Sequence, residues 1–321
     1  MSHTRQAEAY DKKSALWNAE AGVRSSAEEF DLNQCLTHEE FSAKEWHLPD
    51  YSGILRHPRL AELSPEQKKF VMGLQLLEFV TKQAIFEIEC VNNVASKLAF
   101  GGFDFQLSES LRLDALKVYT DEGYHSYYTQ KLSNQIRRHY GVEEAEIERQ
   151  VAVFFDKIRH LKNSYEPQHS DLVMFALVVV AECQVVADIS EEMKGLVYEP
   201  IKNLFRDHMK DEVFHAMFFS NVFEAVWTQL EGQQQEVVGK AIADAIPILG
   251  LPRTETYFYS LAKAGLSRTA IKRCIADIYG TKEWSSEKLI KRMAPTLSLL
   301  KKSNVFSNSS VHAIFQRRGF I

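Results

Sequence analysis

Apolar residues recur at steps of three and four over long stretches of this chain, the spacing of one face of a helix. No stretch alternates apolar and polar residues as a half-buried strand would. Five long helices are predicted. The first starts at Ser64, where Ser64, Pro65 and Gln67 supply an N-cap, a proline at the first helical position and a glutamine at the third. It runs to about Phe100, where Gly101 and Gly102 stop it. The second starts near Ser108 or Ser110 and ends at about Tyr140, before Gly141. A third lies between about Glu143 and Tyr165, a fourth spans about Asp171 to Lys194, and a fifth spans about Pro200 to Leu230, ended by Gly232. Shorter helices are expected over 234–302 and in the last ten residues. Residues 1–63 mix short helical patterns with irregular polar stretches, and Pro49 and Pro58 break any long helix there. The expectation is an all-α chain with a four-helix bundle core. An N-terminal arm (1–63), the bundle (64–231) and a C-terminal helical extension packed on it (232–321) would form a single domain.

The inward seams of four of these helices carry the chemistry. The fourth helix reads Leu172, Phe175, Val179, Glu182, Val186 and Ile189, a carboxylate in an otherwise apolar line. The second reads Ala115, Val118, Glu122, His125, Thr129 and Leu132, and the fifth Phe205, His208, Glu212, His215, Phe219 and Val222, so both place Glu-x-x-His at mid-seam. In the first helix the series through Glu87 (Leu76, Val80, Gln83, Glu87, Cys90, Val94) is largely apolar. The series through Glu89 (Glu78, Lys82, Ile85, Glu89, Asn92, Ser96) reads as a solvated face, so Glu87 is expected to point inward.

Four carboxylates buried together each forfeit several kcal/mol of hydration unless cations offset them. Two divalent ions balance four glutamates, and oxygen plus imidazole donors suit iron or manganese. A single Glu-x-x-His is common on solvated helices; two of them with two further inward glutamates point to a dinuclear metal site. Asp121 and Asp211 each precede a motif glutamate. Either would accept the free N–H of the histidine in the other motif, or lie on the helix surface. His208 shares one face with Glu212 and His215, as a further nitrogen ligand or as a core histidine bonded to a carboxylate or carbonyl.

Composition narrows the classes. The 321 residues are 45% hydrophobic with 8 prolines and 14 glycines, which excludes disorder and disfavours a turn-rich β fold. A net charge of −5 offers no basic footprint for nucleic acid. The polar N-terminus has no secretory pattern, and the longest apolar run, Leu172 to Ala181, is about half a membrane span, so a soluble cytoplasmic protein is expected. Cys35, Cys90, Cys183 and Cys274 form no C-x-x-C pair and are expected to be reduced thiols.

With H-M-K-D-E-V-F-H at His208 to His215, D-E-G-Y-H at Asp121 to His125, and Glu87 and Glu182, the chain resembles the AurF-type diiron N-oxygenases over roughly residues 64–231. The resemblance implies a ferritin-like bundle with seven metal ligands: Glu87, Glu122, His125, Glu182, His208, Glu212 and His215. It also implies two iron ions, O₂ as co-substrate, and oxidation of a small-molecule amine to a hydroxylamine, nitroso or nitro product through a diferric peroxide. Ribonucleotide reductase radical subunits would need a tyrosine where Thr129 stands, ferritins are shorter, and desaturases and multicomponent hydroxylases share six ligands but not His208. A diiron oxidase acting on carbon and a non-catalytic metal-binding bundle are the alternatives. No G-x-G-x-x-G motif or cysteine cluster is present, so an external reductase or ferredoxin-like carrier is expected to supply electrons. The amine is open between aryl, aliphatic and amino-acid classes, and a homodimer is compatible with the chain. Gln83 reads as a buried hydrogen-bonded glutamine that also has the position to line a pocket, and Tyr124, Tyr127 and Tyr128 read as packing.

Overall fold

The computed structural model describes residues 3–25, 53–196, 198–280 and 287–321; Cys35 and Pro49 lie outside them. The N-terminal arm forms α1 (His3–Glu20), longer than the short pieces its sequence suggested, and a single turn, α2 (Gly22–Ser25). Helix α3 (Pro65–Phe86) starts on a capping box. Ser64 Oγ accepts the Gln67 backbone N–H at 3.2 Å, and Gln67 Oε1 accepts that of Ser64 at 2.9 Å. The helix widens into a π-helical stretch, Glu87–Asn92, resumes as α4 (Asn93–Phe100), and ends where Gly101 takes φ +73°. Next come α5 (Glu109–Tyr140), capped by Ser108 and stopped by Gly141, and α6 (Glu144–Asn163). Helices α7 (Ser170–Gly195) and α8 (Glu199–Trp227) complete the set of long helices predicted above. The C-terminal extension contributes α9 (Gly232–Gly250), α10 (Thr254–Lys263), α11 (Arg268–Tyr279), α12 (Glu287–Arg292), α13 (Ala294–Lys302) and α14 (Ser309–Arg317).

The α3–α4 rod packs along α5, α7 packs along α8, and α5 also meets α8, which closes the four-helix core. Helix α9 lies on α7, and α1 and α2 lie over α5 and α8. Close packing of α3 on α5 rests on Gly73, where a Cβ would come within 2.3–2.5 Å of the Tyr140 ring. Phe175, Phe205, Phe218, Phe219 and Phe223 fill the interior. By length and composition α7 is apolar enough to cross a membrane. Its side chains are instead consumed inside the bundle: Val173 and every residue from Phe175 to Val180 are fully buried, as befits a central helix that is apolar all round.

One expectation fails in α3. The series through Glu89 is not a solvated face: Glu78 is 2% exposed and ion-paired to Arg253, and Asn92 is buried, while Glu89 itself is exposed. Two causes account for this. Helix α10 packs on α3 and covers that side, and the wide π turn delays the helical phase by part of a residue, which brings Asn92 inward.

Candidate metal centre

Glu87 sits at the first residue of the π stretch, Glu122 and His125 at mid-α5, Glu182 at mid-α7, and His208, Glu212 and His215 on one face of α8. All seven are at most 3% exposed. The structure buries all seven expected residues on four different helices and brings six of them into close groups.

Glu122 and Glu212 lie between the two halves of the cluster. Glu122 Oε2 is 3.4 Å from His125 Nδ1, and its Oε1 is 3.2 Å from His215 Nδ1. Glu212 Oε1 faces His208 Nε2 at 2.6 Å and His125 Nδ1 at 3.5 Å, while its Oε2 faces His215 Nδ1 at 3.2 Å. Glu87 Oε1 is 3.2 Å from His208 Nε2. Two compact donor groups result, Glu87–His125–His208–Glu212 and Glu122–His125–Glu212–His215, each with ligand atoms within 4.8 Å of one another. Glu182 belongs to neither group, and its Oε2 has no hydrogen-bond partner among the described residues.

The two aspartates cross over. His125 Nε2 lies 3.1 Å from Asp211 Oδ2, and His215 Nε2 lies 3.2 Å from Asp121 Oδ2, so each motif histidine has its outer nitrogen against the aspartate of the other motif. An Nε2–H donating to a carboxylate leaves the lone pair on Nδ1, the atom that faces the cluster in both residues. His208 is turned the other way. Its Nε2 points inward, and its Nδ1 has no hydrogen-bond partner among the described residues.

Burial and mutual charge set the electrostatics of the cluster's own side chains. Burial pushes Glu182 well above the usual carboxylate range, and the negative Glu212 and Glu122 push it further. Burial raises Glu87 as well, partly offset by His208. It would raise Glu212 too, but the charge of His215 and hydrogen bonds from His125, His208 and His215 outweigh it and hold Glu212 well below the normal range. His125 and His215 rise well above the ordinary histidine value despite burial, because carboxylates surround them. These shifts share one cause, carboxylates crowded together away from water. A pair of divalent ions would balance four glutamates, and the mix of carboxylate and imidazole donors with an orphaned carboxylate oxygen fits iron or manganese.

Sequence reasoning missed the groups that hold this cluster from outside. Trp17 Nε1–H donates to Asp121 Oδ2 at 2.7 Å, and the Gly22 backbone N–H donates to Asp211 at 3.0–3.2 Å. Both come from the arm, more than a hundred residues earlier in the chain, and no local pattern announces them. Ser126 Oγ reaches Ala84 O at 2.9 Å and Glu87 Oε2 at 3.3 Å; it lies one step off the seam that was followed. Gln83 Nε2–H donates to Glu87 Oε1 at 2.8 Å and also lines a cavity of about 850 Å³ whose wall includes Glu182. Of the tyrosines, Tyr128 is buried against the His125 and His208 rings, Tyr124 packs edge-on against it, and Tyr127 is exposed.

An all-α bundle with a carboxylate–imidazole cluster at its centre, drawn from four helices and braced by crossed aspartates, defines a ferritin-like protein of the dinuclear-carboxylate kind. The model of the p-aminobenzoate N-oxygenase AurF family matches residues 18–301, and the chain belongs to that family. No curated protein matches it.

Proposed function

We propose that the protein is a diiron N-oxygenase that uses O₂ to oxidise the nitrogen of a small amine to the hydroxylamine, nitroso or nitro level. The observation that carries this reading is the donor set itself, in which Glu122 and Glu212 are each turned toward histidines of both halves. Glu87, His125 and His208 would hold one ion, Glu182 and His215 the other, and Glu122 and Glu212 would be shared. Bound iron would supply the binding and reduction of O₂, which no side chain of the set performs alone. Asp121 and Asp211 would fix the ring orientation of His215 and His125. His208 is the extra nitrogen donor that separates this set from a six-ligand one. Electrons would come from a separate one-electron carrier.

The cavity beside Glu182 and Gln83 is the substrate site in this reading. Lys82 projects into it, with its ammonium 5.2 Å from the centre of the Phe79 ring and 5.4 Å from that of Phe154, and it forms no salt bridge among the described residues. Burial, and to a lesser degree the nearby Arg253, lower its pKa to about 8, while Glu78 and Asp188 pull the other way and Arg292 adds to the lowering. An uncommitted cation between two aromatic faces suits an amine that carries a carboxylate, as p-aminobenzoate does. The test is anaerobic Fe(II) loading followed by O₂ and a panel of aryl, aliphatic and amino-acid amines, with products read by mass. Two irons per chain and oxygen gained on nitrogen are expected. Wild-type protein without iron above trace would end the dinuclear reading, and oxygen found on carbon would favour a hydroxylase.

A further inference from the structure

The two outer aspartates play matching parts toward the cluster but are capped by different chemistry. Asp211 is held by the backbone N–H of Gly22, at a point so tight that a Cβ on Gly22 would lie 2.8 Å from Asp211 Oδ2. Asp121 is held by the indole of Trp17, and a single oxygen, Oδ2, joins Trp17 Nε1 at 2.7 Å to His215 Nε2 at 3.2 Å. His215 then presents Nδ1 to Glu122 and Glu212 at 3.2 Å each. Two hydrogen bonds therefore connect an aromatic ring to the centre of the cluster.

Trp17 is also where this network meets the surface. The donors and Asp121 are at most 3% exposed and Asp211 is 6% exposed, whereas Trp17 is half-buried. It forms part of a surface pocket of about 350 Å³ together with Lys13, Glu20, Lys210, Phe214 and an edge of Asp211. The family match begins at residue 18, so this indole lies just outside the matched stretch.

We propose that Trp17, Asp121 and His215 form the electron path from the surface to the metal centre. The inference rests on the metal-centre reading above, since only a redox-active centre needs such a path. Each passage moves one electron from a reduced one-electron carrier of the [2Fe–2S] class at the Trp17 pocket to one ferric ion, and two passages reduce the pair. The carrier is oxidised by one electron each time. No bond forms or breaks along the path, Nε1 and Nε2 keep their protons, and the indole acts as a tunnelling bridge without being oxidised itself. The Tyr124–Tyr128–His208 stack is the rival route, with ring centres 5.2 and 5.7 Å apart, but it has no hydrogen bond in it: Tyr128 Oη lacks a partner among the described residues.

The test compares wild type, Trp17→Phe and Tyr128→Phe. Each is loaded with iron, oxidised, and mixed anaerobically with a reduced plant-type [2Fe–2S] ferredoxin, while the loss of ferric absorbance is followed by stopped flow. Trp17→Phe keeps a ring in place and removes the donor. We expect its reduction rate to fall clearly below that of wild type, because the hydrogen-bonded link from the indole to Asp121 is lost. Circular dichroism should stay at the wild-type spectrum, and any change in iron content, or in the rate at which chemically pre-reduced protein consumes O₂, should be smaller than the change in reduction rate. Equal reduction rates in wild type and Trp17→Phe would overturn the path. So would slowing in Tyr128→Phe alone. Equal slowing of reduction and of O₂ consumption in Trp17→Phe would make Trp17 a positioning residue for Asp121, which also overturns it. Wild-type protein that takes up no iron would overturn the metal-centre reading, and the path with it.

Discussion

Glu182→Gln distinguishes a metal ligand from a structural carboxylate because it changes charge and almost nothing else. In the metal-free fold, burial and the neighbouring negative groups raise the Glu182 pKa well above its ordinary value, which favours the neutral acid form that glutamine imitates. The sign of the linkage follows. The folded state binds this proton more tightly than the unfolded state, so native stability falls as pH rises from the unfolded carboxyl pKa toward the folded one. Glutamine removes that loss, and metal-free Glu182→Gln should melt at or slightly above wild type, with the gap widening as pH rises through that window. Metal reverses the comparison. Free Fe(II) at a hundred times its dissociation constant adds about 2.7 kcal/mol per site. At about 2.1 cal/mol/K of unfolding entropy per residue, a chain of 321 residues gains about 1.5 °C per kcal/mol, so one ion gives about 4 °C and two about 8 °C. The variant should keep about half of that shift or less. Scanning calorimetry with and without anaerobic Fe(II) measures both quantities. A metal-induced shift equal to wild type would show that Glu182 holds no ion, and a metal-free variant melting many degrees lower would assign it a structural role.

Glu87→Gln should abolish amine oxidation, while Glu89→Gln, an exposed position, should leave the rate within a factor of about two; the opposite pattern would mean that the helix presents its other face. Asp211→Asn removes the charge 3.1 Å from His125 Nε2 and should weaken iron binding about 10- to 100-fold in a chelator competition. An unchanged competition curve would limit Asp211 to docking α2. Lys82→Met should raise KM about tenfold or more for amines bearing a carboxylate and leave it unchanged for amines without one, the worth of a lost charge-assisted hydrogen bond. Because the Lys82 pKa is lowered to about 8, the cation is present below that pH and lost above it. KM for carboxylate-bearing amines should therefore climb above about pH 8 in wild type and stay flat in Lys82→Met.

The start of α3 was legible because it is local: Ser64, Pro65 and Gln67 contain the whole capping geometry. The donors were legible for a different reason. A carboxylate in an apolar seam is costly enough to stand out, and helical periodicity then sets which of Glu87 and Glu89 faces inward. Periodicity fails where the backbone leaves 3.6 residues per turn, and Asn92, the last residue of the π stretch, is where the polar series departed from its expected exposure. It fails also for partners brought from far along the chain. Nothing near Glu78 in sequence foretells Arg253, and nothing near Asp121 foretells Trp17. These pairings exist only once α10 and α1 have docked on the bundle.

The crossed aspartates bear on how the centre can be filled. His125 depends on Asp211 of α8, and His215 depends on Asp121 of α5, while Glu122 and Glu212 each face both halves. The two halves would therefore not fill independently: an ion in one would favour the placement of α5 and α8 that the other needs. Half-filled chains would then be disfavoured relative to empty and doubly filled ones. Under limiting iron the population should divide into empty and doubly filled chains, and the centre would behave as a single cooperative unit that locks two helices together.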